Sequence, residues 1–228
     1  MKRFVLGFTL AALATAQAFA NDNASRWSGY YIGGNAGYAW NKMEATDIGD
    51  TAGTLWRGGS YSDQTGGFTG GAQAGYNFQN GPWVSGLEAD IGWLNLKGTA
   101  APFFDTIIHT DASYVATFRG KLGYASGQSL LYVTGGAVLA DFGNRVELEF
   151  SGNLTPSSAT GSQWGWTVGS GIELALDKRW SIKTEYLYYS LDKEKVTVPG
   201  CGSGGCSFDV RNNGSIVRIG LNYRLGSN

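Results

Sequence analysis

The stretch YVATFRGKLGY, residues 114–124, decides the fold because apolar side chains alternate in it with polar and small ones. In an extended strand, successive side chains point to opposite faces, so Phe118 and Leu122 share one face while Arg119 and Lys121 share the other. This alternation predicts a β-strand with an apolar environment on one side and a polar environment on the other.

Eight segments of the chain follow the same pattern. They cover residues 30–41, 68–78, 83–93, 114–124, 131–139, 164–174, 180–188 and 216–225. Charged residues well inside these segments fall on the face opposite the aromatic residues. These charged residues are Glu88, Asp90, Arg119, Lys121, Glu173, Lys183, Glu185, Arg218 and Arg224. A charge facing lipid costs about 2–4 kcal/mol near the middle of a bilayer. The pattern therefore predicts a transmembrane barrel with an ion-pair network in its interior.

The connections between the segments alternate strictly between short and long. Residues 79–82, 125–129 and 177–179 are short polar turns, whereas 42–66, 95–111, 141–163 and 192–215 are long. Outer-membrane barrels have short periplasmic turns and long extracellular loops. We therefore expect an all-β, eight-stranded antiparallel up-and-down transmembrane barrel with four long extracellular loops. A lipocalin-like soluble barrel would expose the face rich in Trp and Tyr to water, which disfavours it.

The beginning of the chain has the features of a secretory signal peptide. Lys2 and Arg3 precede an apolar run at 4–14, and Ala18-Phe19-Ala20 has the small-x-small pattern of a cleavage site. The apolar run is shorter than the ~20 residues of a membrane-spanning helix. We expect cleavage between Ala20 and Asn21, a signal peptide at 1–20, and one barrel domain at 21–228. Export through the periplasm to the outer membrane follows.

Composition agrees with this class of protein. Glycine accounts for 36 of 228 residues, aromatic residues for 14% and charged residues for 15%. Small residues suit a narrow barrel interior, and aromatic residues suit the two membrane interfaces. The chain holds 17 basic and 18 acidic residues without a basic patch, which argues against a nucleic-acid partner.

The ordered strand motifs resemble a known family. They are WSGYYIG at 27–33 with NAGY at 35–38, GGFTGG at 66–71 with QAGYN at 73–77, GLEAD at 86–90, RGKLGY at 119–124, YVTGGA at 132–137, GWTVG at 165–169, KTEYLY at 183–188 and VRIGLNY at 217–223. The set resembles the outer-membrane immunogenic proteins of alphaproteobacteria, which are porin-family, OmpA-like barrels. The resemblance implies a surface antigen that contributes to envelope integrity, with membrane lipid and lipopolysaccharide as surroundings and host or envelope partners at the loops. It also implies insertion by the barrel-assembly machinery. That machinery recognises an aromatic residue at the end of the last strand, and this chain has Leu225 at that position.

The charged interior has two interpretations. In the first, side chains fill the narrow space inside eight strands, and the charges pair with one another and close the barrel. In the second, the interior is a narrow porin-like channel. No metal, cofactor or catalytic motif is evident, so no enzyme activity is expected. Some relatives bind haemin, and His109, the only histidine, is the candidate ligand in the second long loop.

Cys201 and Cys206 stand close together in the fourth long loop, separated by a Gly/Ser spacer. In an exported protein this arrangement predicts a disulfide bond. The favoured hypothesis is a structural surface protein whose loops make the contacts. A narrow channel or a haemin receptor is the alternative.

Overall fold

The fold is a closed antiparallel β-barrel. In the computed structural model, residues 26–48, 60–103, 106–150, 153–198 and 206–225 are described. The strands are β1 (Gly29–Asp47), β2 (Ser60–Asn80), β3 (Trp83–Phe103), β4 (Thr106–Ser126), β5 (Ser129–Phe150), β6 (Asn153–Ala175), β7 (Trp180–Leu191), β8 (Glu194–Val198) and β9 (Cys206–Arg224). None of the described residues forms a helix long and apolar enough to cross a membrane.

Each strand from β1 to β7 pairs with its neighbour in sequence, and β9 completes the circle. It pairs with β7 through Glu185–Arg218 and with β1 through Gly37–Arg218. The barrel thus has eight strands, β1 to β7 and β9, as the alternation predicts. The short β8 pairs with the first part of β9 and is additional.

Tight turns join the strands at one end of the barrel, which we call the turn end. Gly81 and Gly127 have φ values of 59° and 60°, and each is the first central residue of a two-residue hairpin turn. A type II′ turn requires positive φ at this position, which glycine adopts without a steric penalty. In the third turn, the amides of Trp180 and Arg179 donate hydrogen bonds to Asp177 and lower the pKa of its carboxyl group.

The opposite end, which we call the hairpin end, differs from the sequence-based prediction. Most residues predicted as long loops continue the strands as β-hairpins, so that β5 has 22 residues and β6 has 23. The prediction confined each strand to the roughly 9–11 residues that cross a bilayer. The predicted strands were too short because the alternation of apolar and polar residues marks only the part of a strand that faces lipid. Backbone pairing between strands continues beyond that part.

The hairpin end also divides into two groups of strands. Pairing between β2 and β3 begins at Thr69–Leu94, and pairing between β6 and β7 begins at Gly165–Leu191. Above these pairs, β3 to β6 continue as one sheet, while β8, β9, β1 and β2 continue as another. The described residues therefore form a closed barrel below and, above it, two groups of paired strands with no backbone ladder between them, although Gln163 on β6 still donates to Glu194 on β8.

The two faces of the barrel wall have opposite chemistry, as predicted. Large apolar side chains such as Phe68, Trp93 and Leu131 point outward with more than 60% of their surface exposed. Aromatic pairs form two belts. Trp83–Tyr124 and Trp180–Tyr223 lie near the turn end, and Tyr38–Phe68 lies near the hairpin end. Trp83 and Trp93 are ten residues apart on β3, about 33 Å along the strand, which matches a tilted strand crossing a bilayer.

Candidate functional site: the charged interior of the barrel

Eight of the nine predicted interior charges meet at the centre of the barrel. The central network consists of Glu88 and Asp90 on β3, Arg119 and Lys121 on β4, Glu173 on β6, Lys183 and Glu185 on β7, and Arg218 on β9. The charges on a single strand are two residues apart, so the pleat turns both toward the lumen. Four carboxylates therefore face four cations, and all eight side chains are buried.

Glu88 lies at the middle of the central network. Both of its carboxylate oxygens accept hydrogen bonds from Lys183 Nζ at 2.8 Å, although the two residues are 95 positions apart in the chain. Arg119 Nη2 donates to Glu88 Oε1 at 2.5 Å, and Tyr31 donates its hydroxyl proton to Oε2 at 2.7 Å. Burying a carboxylate is costly unless its lone pairs are satisfied. Here side chains from three strands, β1, β4 and β7, satisfy them.

The two arginines connect Asp90 and Glu185 to the central network. Arg119 Nη2 lies 2.7 Å from Asp90 Oδ2, and Arg218 Nη2 lies 2.6 Å from Glu185 Oε2. Arg218 also reaches Asp90 at 3.2 Å, so Asp90 is shared between both guanidinium groups. Because planar guanidinium groups bind several acceptors in fixed directions, they hold the strands in one register.

Lys121 sits between two buried tyrosines. Its Nζ lies 4.5 Å from the centre of the Tyr132 ring and 5.2 Å from that of Tyr31, which permits cation–π attraction. Its carboxylate neighbours are Glu88 at 3.4 Å and Glu173 at 3.7 Å, both longer than the 2.8 Å between Lys183 and Glu88. Aromatic faces therefore supply part of the stabilisation of this cation.

Apolar side chains close the lumen on both sides of the central network. The turn-end layer consists of Trp27, Val84, Leu130, Tyr132 and Ala175. The hairpin-end layer consists of Ala39, Leu94, Leu96, Ala112, Val115, Val138, Ala140, Leu187, Tyr189, Leu191 and Ile216. The described interior thus has its charges at the centre and an apolar layer toward each mouth, and these layers also include hydrogen-bonded polar side chains such as Gln79 and Asn41.

Arg224, the ninth predicted member, does not join the central network. Within the described part of the chain it makes no ion pair; its Nη1 donates to the Lys178 carbonyl at 3.4 Å, and its guanidinium lies over the Trp27 ring. The face predicted for Arg224 is right, since the residue is buried. The network prediction is wrong for Arg224, which lies at the end of β9 and is in none of the ion pairs that the described central carboxylates make.

The other predicted sites lie wholly or partly outside the described residues. The cleavage site at Ala20 and Asn21 is outside them, and so is Cys201, so the disulfide stays a prediction. Cys206 begins β9, opposite Val198. The backbone of His109 pairs with Thr99 and Arg145 at the hairpin end, but its side chain is not among those described.

Sequence reasoning missed three buried aromatic residues of the interior, Trp27, Tyr31 and Tyr189. Tyr31 stands next to Tyr30, an outward-facing aromatic residue that fits the expected lipid-facing pattern. Tyr31 is two residues before Gly33 and four before Asn35, which places it on the interior face. Trp27 precedes the alternating segment and carries no periodic signal. Its amide donates to Gln79 Oε1 at 2.9 Å, and its side chain is 1% exposed in the turn-end mouth.

Comparison with known proteins agrees with this architecture. The sequence model of the outer membrane protein beta-barrel domain family matches residues 6–225, and the chain belongs to this family. Over 206 residues the chain is 33% identical to the 31 kDa outer-membrane immunogenic protein of Brucella melitensis, covering 87% of this chain and 84% of that protein. It is 29% identical to the 22 kDa outer membrane protein of Rhizobium leguminosarum, over 89% and 80% of the two chains.

The fold is also similar to a solved structure, that of the outer membrane protein OprG from Pseudomonas aeruginosa. The TM-score is 0.58 at 16% identity, and the match covers 88% of this chain and 97% of that one. The protein is therefore an outer-membrane surface protein of the β-barrel family. In such barrels the short turns face the periplasm and the long connections face outward, so the hairpin end is extracellular.

Proposed function

We propose that the protein is a closed structural barrel of the outer membrane, without catalytic activity, whose extracellular hairpins make contacts that support envelope integrity. The observation that carries this proposal is the length of the strands beyond the bilayer. β5 and β6 have 22 and 23 residues, whereas about 9–11 suffice to cross a membrane. About 11 residues of each strand, some 35 Å along its axis, therefore extend beyond the membrane.

The arrangement of the extracellular strands supports a contact role. Beyond the pair Thr69–Leu94, β2 and β3 form no ladder with each other, and beyond the pair Gly165–Leu191, β6 forms none with β7 or β8. Strand edges present backbone donors and acceptors in a row and are common sites of pairing with other chains. Host molecules and neighbouring envelope components are the partners that such edges and loops would meet.

The alternative functions have less support. A narrow channel would need a wet path, but two apolar layers and eight paired charges fill the described interior. A haemin receptor would depend on His109, whose side chain lies outside the described residues, so no described contact supports this function. Neither alternative is favoured over the contact role.

Shortening one hairpin tests the proposal. Asp141 and Ser162 are paired across β5 and β6, so residues 142–161 can be replaced by a two-residue Asn-Gly turn without changing the membrane-spanning part. A strain lacking the protein is complemented with the wild type or with this variant, and its resistance to EDTA and detergent is measured. Heat-modifiable gel migration shows that both barrels fold. We expect the variant to fold but to restore resistance poorly, and full restoration would contradict the proposal.

A further inference from the structure

The charges at the turn end are unbalanced, in contrast to those of the central network. The described residues there include the cations Arg26, Lys178, Arg179 and Arg224 and only one acid, Asp177. The turns at 80–83 and 126–129 carry no charge. All four cations therefore lie on the side of the barrel where β6, β7, β9 and the start of β1 meet. We call these four residues the turn-end cation cluster.

Contacts within the structure hold this cluster together. Arg224 Nη1 donates to the carbonyl of Lys178 at 3.4 Å, which joins two of the four residues. The carboxylate of Asp177 is occupied, because the amides of Arg179 and Trp180 donate to it at 2.6 and 2.7 Å. Glu173, the nearest interior acid, accepts hydrogen bonds from Ser181 and Asn222. The cluster thus keeps an excess of positive charge.

The cluster also lies against the lipid-facing aromatic belt. Arg179 Nη1 donates to the hydroxyl of Tyr223 at 3.1 Å, and the Tyr223 ring packs against Trp180 with centroids 5.0 Å apart. Trp180 is 41% exposed on the outer face of the barrel. Aromatic residues of this kind lie at the level of lipid headgroups, which places the cations beside the phosphates of the periplasmic leaflet.

We propose that the turn-end cation cluster binds the phosphate of an anionic phospholipid in the periplasmic leaflet, with Lys178 and Arg179 as the principal contacts. The apolar faces of Trp180 and Tyr223 would lie along the glycerol and upper acyl chain. The cluster would fix the height and tilt of the barrel on the side where the first and last strands close. This inference depends on the orientation of the barrel and not on the role of the hairpins.

Native mass spectrometry tests the proposal. The folded protein in a zwitterionic detergent is titrated with phosphatidylglycerol and with phosphatidylcholine of the same acyl chains. We expect the wild type to prefer phosphatidylglycerol by about tenfold, since each cation near an anionic lipid surface adds appreciable attraction. The double variant K178Q/R179Q should lose this preference. The matched control K42Q/K193Q removes two exposed cations from the hairpin end and should keep it.

Two further measurements keep the result decisive. Soluble glycerol phosphate at the same concentration should not compete, and full competition would show a site for free phosphate esters instead of a lipid. Added salt should weaken the phosphatidylglycerol preference of the wild type, because exposed charges are screened. An equal affinity of the wild type for both lipids, or an unchanged preference in K178Q/R179Q, would overturn the proposal.

Discussion

Glu88 is the residue on which most of the interior cations depend. Replacing it with glutamine removes the negative charge that faces Lys183, Arg119 and Lys121 while nearly preserving the volume of the side chain. Removing one partner of a buried ion pair leaves an uncompensated charge and costs about 3–5 kcal/mol. We expect Glu88→Gln to lower the free energy of unfolding by an amount in this range, measured by urea titration of the protein in lipid vesicles.

Glu44→Gln is the matched control for this prediction. Glu44 pairs with Lys42 at 2.6 Å, but both side chains are more than 40% exposed. An exposed ion pair contributes at most about 1 kcal/mol. Similar losses for the two variants would show that the central network is more hydrated than its geometry indicates.

Two interior glycines provide space for the buried tyrosines. A Cβ at Gly75 would lie 2.5 Å from Tyr31 Cζ and 2.6 Å from the carbonyl oxygen of Leu87, so the ring and the strand would both have to move. Gly171 holds the same position relative to Tyr132. We expect Gly75→Ala to destabilise the barrel by about 1–3 kcal/mol through overpacking.

Gly120→Ala should behave differently in the same unfolding assay. Gly120 faces outward, and the nearest atom to its added Cβ would be the Gly135 carbonyl oxygen at 3.9 Å. We expect little change in unfolding free energy for this variant. If Gly120→Ala lowers the unfolding free energy as much as Gly75→Ala does, the cost comes from replacing any strand glycine. It would then not come from the loss of space for a buried tyrosine.

At the scale of strands, the alternation of residue types determines which way each side chain points but not which partner it meets. The outward direction of Phe118 and the inward direction of Lys121 follow from period 2 and from the cost of charge in lipid. The contact between Lys183 and Glu88 depends instead on the stagger of the strands around the closed barrel. The sequence of a single strand carries no information about this stagger. The extracellular strand extensions were missed for a related reason, because outside the bilayer neither face is required to be apolar.

The segment that precedes β1 acts as a cap on the turn end of the barrel. Trp27 packs with Val84, Leu130 and Tyr132, and its amide binds Gln79. Truncating a buried Trp to Ala typically costs about 3–5 kcal/mol, and Trp27 is buried, with 1% of its surface exposed. We expect Trp27→Ala to lower the unfolding free energy by about 3 kcal/mol, measured as a shift of the urea midpoint.

Trp27→Phe separates packing from hydrogen bonding in this cap. The Trp27 Nε1 has no hydrogen-bond partner among the described residues, so phenylalanine keeps most of the packing without losing a bond from the ring. We expect this variant to keep most of the wild-type stability. If it is as unstable as Trp27→Ala, the indole nitrogen makes a contact that the described residues do not contain.

For the whole molecule, the order of layers along the lumen predicts that the barrel does not conduct ions. An ion would have to cross the hairpin-end layer around Leu94 and Leu187, then the central network, then the turn-end layer around Trp27. Transfer of an ion from water into such an interior costs several kcal/mol even after relaxation. The central charges offer no relief, because carboxylates already hold Lys183 and Arg218 at 2.8 and 2.6 Å.

Planar-bilayer recording of the folded protein should therefore show no discrete current steps, while a known porin in the same bilayers gives them. The variant L94A/L187A removes bulk from the hairpin-end layer only, and it should also stay silent because the central network and the turn-end layer remain closed. Adding Trp27→Ala and Glu88→Gln opens the other two barriers as well, and small irregular currents are expected only in that combination. Reproducible steps of constant size from the wild type would show that the central ion pairs open as a gate, and the protein would then be a channel instead of a closed anchor.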